Sequence, residues 1–543
     1  MVEAEDGFVI MEKSKTDFSQ QLSPNRKEAR SSRISVIPKP QLIELGEGKT
    51  TLPACIFVSG PDSISKIALD SLMKRRFDAR RSPDGESAEV QFLRPDAGSR
   101  KEIEKMADPL ETYQLSIFEG GVIIAADSQR GWFYGLQTLL QLIDTVPRKD
   151  GCPVLPRGVI TDWPRFEWRG FMLDESRHFS GIEVVKRILD TMAYYKLNVF
   201  HWHLTDSSGW RIEIKGKPKL TTIGAKGNFS DPEAAPMFYS QKQIHEIVSY
   251  AKVRQIDVIP EIDMPGHMSA AMRAYPEFSG GGPETDPFYT INPASKLADD
   301  FLNSILIEIK GLFKDAEVIH FGGDEVLHDG WKNLEEVKSL ISGGSFKSEN
   351  EIEAFFNRRL AKVINDLGYT VGGWDDVSYS GLGTKGTLLF WWRHDKPELL
   401  TEMLDTGYNV VLCPRRPLYF DFLQHKTHHA GRIWKGKNSG GFVPLEDVYR
   451  FPDSLDEYAK RPKSGNVKGI SANLWTRLAI TQERRDFLTF PRLLATAESA
   501  WTLEQNKNWG DFFKSRLFNH IPILEDRGFT IFNPYTITPD ITE

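Results

Sequence analysis

From Pro164 onward the chain alternates short apolar runs with longer amphipathic ones, and this alternation constrains the fold more than any other feature. The apolar runs 170–174, 199–204, 257–262, 318–322, 370–374, 388–392, 409–412 and 469–475 have strand length. They carry hydrophobic residues at successive positions, as strands buried on both faces do. Between them lie helical patterns such as 182–195, 241–253 and 349–367. Ser348 stands three residues before Glu351, which predicts a capping box at the start of the last of these. Eight strands alternating with helices predict an α/β fold of the (β/α)8 (TIM) barrel type over residues 163–535. A doubly wound open sheet is the alternative, but no glycine-rich phosphate loop follows any early strand. A barrel also makes a functional statement, because its active site gathers at the C-terminal ends of its strands.

Upstream the pattern is different. Residues 1–35 are polar and rich in Ser, Lys and Arg, too poor in hydrophobics to build a core, and read as a tail. Residues 36–162 read as a small α+β accessory domain. Within it 122–126 is strand-like, and Asp127-Ser128 offers a cap to a helix with Phe133, Leu136, Leu139, Leu140 and Ile143 on one face. Residues 536–543 read as a C-terminal tail.

Composition excludes more than it identifies. With 68 basic against 75 acidic residues and a net charge of −7, the chain has no electrostatic footprint for nucleic acid or an anionic membrane. No stretch reaches the ~18 to 20 apolar residues of a membrane span. The first residues are acidic and lack an apolar leader segment, so the expectation is an intracellular protein, or an exported one whose leader has been removed. Three scattered cysteines make neither a disulfide framework nor a zinc motif. His201 and His203 share a strand face with no third ligand nearby in sequence, so no metal and no other cofactor is expected. Thirteen tryptophans, several beside strand ends, suit the flat apolar faces of sugars.

The chemistry concentrates in His320-Phe321-Gly322-Gly323-Asp324-Glu325. Two glycines let the backbone leave strand geometry, and two adjacent carboxylates follow. In a dry cleft both cannot ionise easily, so one is pushed toward the acid form. A carboxyl that is protonated near neutral pH suits a glycosidase, which must protonate a leaving oxygen. Glu325 is the expected general acid/base, its pKa raised by the charge of Asp324. The two are sequence neighbours, so Asp324 is poorly placed as a nucleophile on the opposite face of a sugar. Arg177, just beyond the first barrel strand, presents a fixed fork of donors suited to neighbouring sugar hydroxyls.

This hexamer resembles the catalytic signature of glycoside hydrolase family 20, the β-N-acetylhexosaminidases. Similar segments recur in the family's order: Arg169 to Phe179, Leu197 to Asp206, Pro260 to His267, Ala472 to Thr476 and Phe490 to Leu494. The resemblance implies a barrel behind an accessory domain that does no chemistry. It implies an exo-acting, retaining hydrolase of terminal β-linked GlcNAc or GalNAc, with a glycan as its partner. It also implies substrate assistance, in which the sugar's own 2-acetamido oxygen attacks the anomeric carbon to give an oxazolinium ion.

The residue roles implied by the resemblance follow. Asp324 orients the acetamide N–H, and Arg177 grips the −1 sugar. Asp206 and His267 relay to Glu325, which can fix the imidazole tautomer and tune the acid. Trp374, Trp392 and Trp475 wall the pocket, although Trp391 is the neighbour of Trp392 and either could face inward. Tyr419 bonds the acetamide carbonyl, and Asp421 accepts from a sugar hydroxyl. One position departs from the family, which usually has Glu where this chain has Arg477. Arg cannot accept a hydrogen bond. Two outcomes are open: Arg477 pairs with an acid such as Asp421, or the sugar carries an anion, as in 6-sulfated or 6-phosphorylated GlcNAc. A non-catalytic amino-sugar-binding barrel is the alternative from another class. The sequence leaves the oligomeric state open.

Overall fold

The computed structural model describes residues 34–541 apart from 84–87, 97–99, 101–107, 434–440 and 460–465. The polar tail expected over 1–35 falls, but for its last two residues, outside the described residues.

Eight parallel strands close into a ring: β1 (Trp168–Asp174), β2 (Val199–Asp206), β3 (Asp257–Ile262), β4 (Val318–His320), β5 (Thr370–Trp374), β6 (Thr387–Trp391), β7 (Asn409–Leu412) and β8 (Val467–Leu474). Each pairs with its successor, and β8 pairs with β1 from Gly469 opposite Trp168 to Leu474 opposite Leu173. Every residue of β1 and β2 is buried, the polar Arg169, Asp174, His201, His203 and Asp206 among them. Helices Ile182–Tyr194, Gln241–Lys252, Lys296–Leu312 and Glu349–Asp366 lie among the crossovers that parallel pairing requires.

The helix at Glu349 forms without the expected box. Ser348 makes no side-chain capping bond, and the Glu351 carboxylate accepts from the N–H of Lys347 one position farther out. A complete capping box stands at Ser240, whose side chain and Gln243 satisfy each other's backbone N–H groups.

Ahead of the barrel, strands between Leu42 and Asp162 form a mixed eight-stranded sheet, and helices Asp62–Met73 and Gln129–Thr145 accompany it. Ser128 caps the second helix by accepting from Gly131 N–H. This unit meets the barrel at the starts of its strands, opposite the end where chemistry is expected. Arg130 reaches Asp257 at the start of β3 (3.0 Å), and Arg169 in β1 pairs with buried Glu111 (2.7 Å). At the centre of the junction Asp162 is fully buried. Its carboxylate accepts from Lys196 Nζ (2.8 Å), Tyr113 OH (2.6 Å), Trp501 Nε1 (2.9 Å) and the N–H of Gln41 (3.0 Å). Beyond residue 535 the chain lies back on the barrel: Asp540 pairs with Arg484 and accepts from the N–H groups of His429 and Ala430.

Candidate active site

The loops after the strands enclose a cleft of about 710 Å³. Arg177 follows β1, Asp206 ends β2 and His267 follows β3. Asp324 and Glu325 follow β4, and Trp374 ends β5. Trp392, Tyr419, and Trp475 with Arg477 follow β6, β7 and β8. All of these line the cleft, and all stand at or just beyond C-terminal strand ends, as a barrel arranges. Trp391 is turned into the core, so Trp392 is the inward tryptophan of that pair. Asp421 stands apart. It is buried behind the lining, paired with Arg432 at 3.3 Å, and its Oδ1 has no hydrogen-bond partner among the described residues. The acid offered to Arg477 by the sequence reading is therefore held by a different arginine. Arg477 lies over the ring of Phe229, 4.7 Å from its centroid, and burial together with neighbouring Arg177 and Arg432 lowers its pKa.

The turn after β4 is built by its glycines. Gly322 and Gly323 adopt φ of 72° and 87°, and a Cβ on Gly322 would meet Asp263 Oδ1 at 1.8 Å. Only glycine fits there, and the turn delivers both carboxyls to one side of the cleft. Two non-glycine residues, His267 and Glu325, are also held at positive φ (54° and 50°). Backbone strain of this kind persists where the surroundings over-determine it, and it clusters at functional sites.

The polar groups form a chain. Arg177 donates to Asp206 Oδ2 (2.7 Å) and lies over the Trp475 ring. His267 Nδ1 is 3.2 Å from Asp206 Oδ1, while its Nε2 is 3.6 Å from Asp324 Oδ2 and 3.5 Å from Glu325 Oε2. Tyr289 OH donates to the Glu325 carbonyl at 3.0 Å. Trp374 and Trp475 lie 5.9 Å apart, centroid to centroid, and Tyr419 lies 5.8 Å from Trp475.

The electrostatics reverse one expectation. Of the adjacent carboxyls it is Asp324 that is pushed up, to about 8, by burial and by the Glu325 charge beside it. Glu325 is held below the usual range, because its contact with His267 and the charges of Arg177 and Arg432 outweigh burial. Its side chain is half-exposed to the cleft, whereas that of Asp324 is nearly enclosed. Burial also works against the His267 imidazolium, but Tyr289, Asp206, Asp324 and Asp263 raise it well above the usual histidine range.

Several residues escaped the sequence reading. Beneath the cleft, Glu261 of β3 sits among His201 and His203 of β2 and His320 of β4, all fully buried. The strand register sets His203 opposite Glu261 and Glu261 opposite His320. The alternation of His201 and His203 was visible in the sequence, but their partners come from other strands, which local spacing does not reveal. Asp375 and Asp376 hold the Trp392 loop: Asp375 accepts from the N–H groups of Trp392 and Arg393, and Asp376 accepts from the Trp392 indole at 2.9 Å.

Among the described residues, three groups bring possible metal ligands within 4.8 Å of one another: His201, Glu261 and His320; His203, Asp206 and Asp263; and Asp263, His267 and Asp324. In the first, Glu261 Oε2 is 2.8 Å from His201 Nε2 and Oε1 is 3.2 Å from His320 Nδ1. The lone pair of His320 Nδ1 is already taken by the N–H of Gly322 at 3.1 Å, so that nitrogen is not free to ligate a metal.

Comparison with known proteins adds the following. Residues 166–504 match the family profile described as "Glycosyl hydrolase family 20, catalytic domain", and residues 33–163 match "Glycosyl hydrolase family 20, domain 2". A beta-hexosaminidase of Porphyromonas gingivalis is 35% identical over 91% of this chain, which spans 65% of that protein's own length. A beta-hexosaminidase of Vibrio furnissii is 33% identical over 86% of this chain and 77% of its own. The crystal structure of an exo beta-N-acetylglucosaminidase from Vibrio harveyi, in complex with N-acetylglucosamine, superposes with a TM-score of 0.81 at 30% identity. It covers 93% of this chain and 79% of its own.

Proposed function

The chain belongs to glycosyl hydrolase family 20, and from that premise we propose that it releases terminal β-linked N-acetylhexosamine from glycans, with retention, by substrate assistance. The observation that carries this reading is the position of His267, within 3.6 Å of both Asp324 and Glu325 in a tryptophan-walled cleft. Both carboxyls arrive on one loop. The other cleft carboxylates are engaged: Asp206 by Arg177, His203 and His267, and Asp286 by Ser269. Among the described residues lining the cleft, no carboxylate of a second element is left to attack the anomeric carbon, which favours the substrate's own acetamide oxygen as nucleophile.

In the proposed cycle the acetamide N–H docks on Asp324 and favours its ionised form. His267 first gives its Nε2 proton to Glu325, and the freed nitrogen then takes the proton that Asp324 releases. Glu325 then protonates the leaving oxygen while the acetamide oxygen bonds to C1 and the glycosidic bond breaks. The positive charge of the oxazolinium faces Asp324. Water next opens the ring at C1, and Glu325 takes its proton. Release of nitrophenol from aryl β-GlcNAc and β-GalNAc tests the activity, and no turnover of either would leave a sugar-binding barrel. Replacing the acetamide with trifluoroacetamide tests the nucleophile, because its oxygen is a poor one and the rate should fall steeply. A covalent glycosyl-enzyme trapped on any carboxylate of the chain would defeat substrate assistance.

One observation favours a narrower substrate. Arg477 lines the cleft with Arg177 and Arg432 near enough to oppose its charge. A sulfate on O6 would meet charge-assisted donors there, contributing on the order of 1.5 to 3 kcal/mol, or roughly a tenfold to hundredfold preference. The wild type should then favour 6-sulfo-β-GlcNAc in kcat/KM, and Arg477→Glu should reverse the ratio. An unchanged ratio removes Arg477 as an anion reader.

A further inference from the structure

We propose that Glu261 is a positioning residue for this hydrolysis, aligning through one carboxylate oxygen the Trp374 wall and through the other the His203–Asp206–His267 chain that ends on Glu325. The inference rests on the role proposed above for Glu325. Glu261 lies on β3 inside the barrel, fully buried, and does not line the cleft. Its Oε1 accepts from the Trp374 indole Nε1 at 2.8 Å, and its Oε2 is 2.6 Å from His203 Nδ1. The far side of the His203 ring is 3.0 Å from Asp206 Oδ2, and the other oxygen of Asp206 meets His267. The charges alternate along this line. Glu261, with the histidines around it outweighing burial, is held well below the usual carboxylate range. His203, between Glu261 and Asp206, is raised well above the histidine range despite burial. Asp206 is held low by Arg177 and His267.

The groups facing Glu261 are His201 and His203 on β2, His320 on β4 and Trp374 on β5, with Asp263, Asp324 and the Cys413 thiol just beyond β7 in electrostatic reach. Burial pushes the His201 pKa down to about 4, so it is neutral and His203 carries the proton. Because each ring nitrogen of His203 is fixed by a carboxylate, the ring cannot turn, and Asp206 is held in the orientation that serves both Arg177 and His267.

Glu261→Gln separates the two arms. The amide oxygen can still accept from Trp374, but the amide nitrogen cannot accept from His203. His203 should then lose its proton, and the charge lost there lies nearer the cleft than the charge removed at position 261. Both limbs of the kcat/KM pH profile should therefore move up by about half a unit or more. At the wild-type optimum kcat should fall about 10- to 100-fold with KM nearly unchanged, the scale of losing a residue that orients an acting group. The loss should be larger for an alkyl than for a nitrophenyl β-GlcNAc, since the defect reaches Glu325. His203→Gln should reproduce the profile shift, and it provides the test if Glu261→Gln does not fold. A folded variant of either kind with the wild-type pH profile and wild-type leaving-group dependence would overturn the proposal and leave Glu261 to core packing. Glu325→Gln is run alongside. If it turns over the alkyl glycoside at the wild-type rate, the reading of Glu325 has failed, whatever Glu261 does.

Discussion

At the scale of single residues, the adjacent carboxyls divide the work by their surroundings. Glu325→Gln should lower kcat/KM for a chitooligosaccharide by about 10²- to 10⁴-fold, because an amide has no proton to give the leaving oxygen. Aryl glycosides with acidic leaving groups should lose much less, and near-wild-type rates on the oligosaccharide would remove Glu325 from the mechanism. Asp324→Asn should also be strongly impaired, yet more stable than the wild type in alkali. A carboxyl whose folded pKa, about 8, stands above its ordinary 3.8 binds its proton more tightly folded than unfolded. Its stabilising contribution is complete below pH 4 and is lost as pH rises toward 8. Asn carries no such dependence. The variant's gain in stability, read from its melting curves, should grow from pH 5 to pH 8, where it should reach roughly 1–3 kcal/mol, the cost of a poorly satisfied buried polar group. Parallel melting curves would contradict the assignment of the raised pKa to Asp324.

At the scale of elements, the β5 and β6 loops act as one wall. Asp376 accepts from the Trp392 indole, and Asp375, its pKa pushed up to about 7 by burial and by Asp376, binds the start of the next loop. Asp376→Ala should free the Trp392 ring, and toward the carboxyls on the β4 loop it removes only one of the lesser charges that raise Asp324. One net hydrogen bond is about 1 kcal/mol, so KM should rise about fivefold with kcat nearly unchanged. A fall in kcat with KM unchanged would show that Trp392 belongs to the chemical step and not to sugar binding.

At the scale of the whole molecule, the accessory unit and the barrel meet around the buried carboxylate of Asp162, beside the Glu111–Arg169 pair. Asp162→Ala strands the Lys196 ammonium, which has 0% exposure, and should cost about 3–5 kcal/mol. Thermal melts should move down strongly, while the KM of the protein still folded stays unchanged, because the junction lies at the opposite end of the barrel from the cleft. A small shift in melting would mean that water satisfies Lys196.

The sequence alone determined the strand–helix rhythm of the barrel, since short, mostly apolar runs alternate with amphipathic ones. It also determined the turn that carries Asp324 and Glu325, since only glycine accepts the conformation of Gly322 and Gly323. The other cleft residues were named by the resemblance to family 20, and the barrel pattern set them at or near strand ends, where a barrel places its loops. The tertiary structure alone decided which tryptophan of 391 and 392 faces the cleft, which arginine holds Asp421, and which of the two neighbouring carboxyls keeps its proton. It also decided that His203 and Glu261 meet. Burial, strand register and the nearest opposite charge come from segments distant in the chain, and no local pattern encodes them.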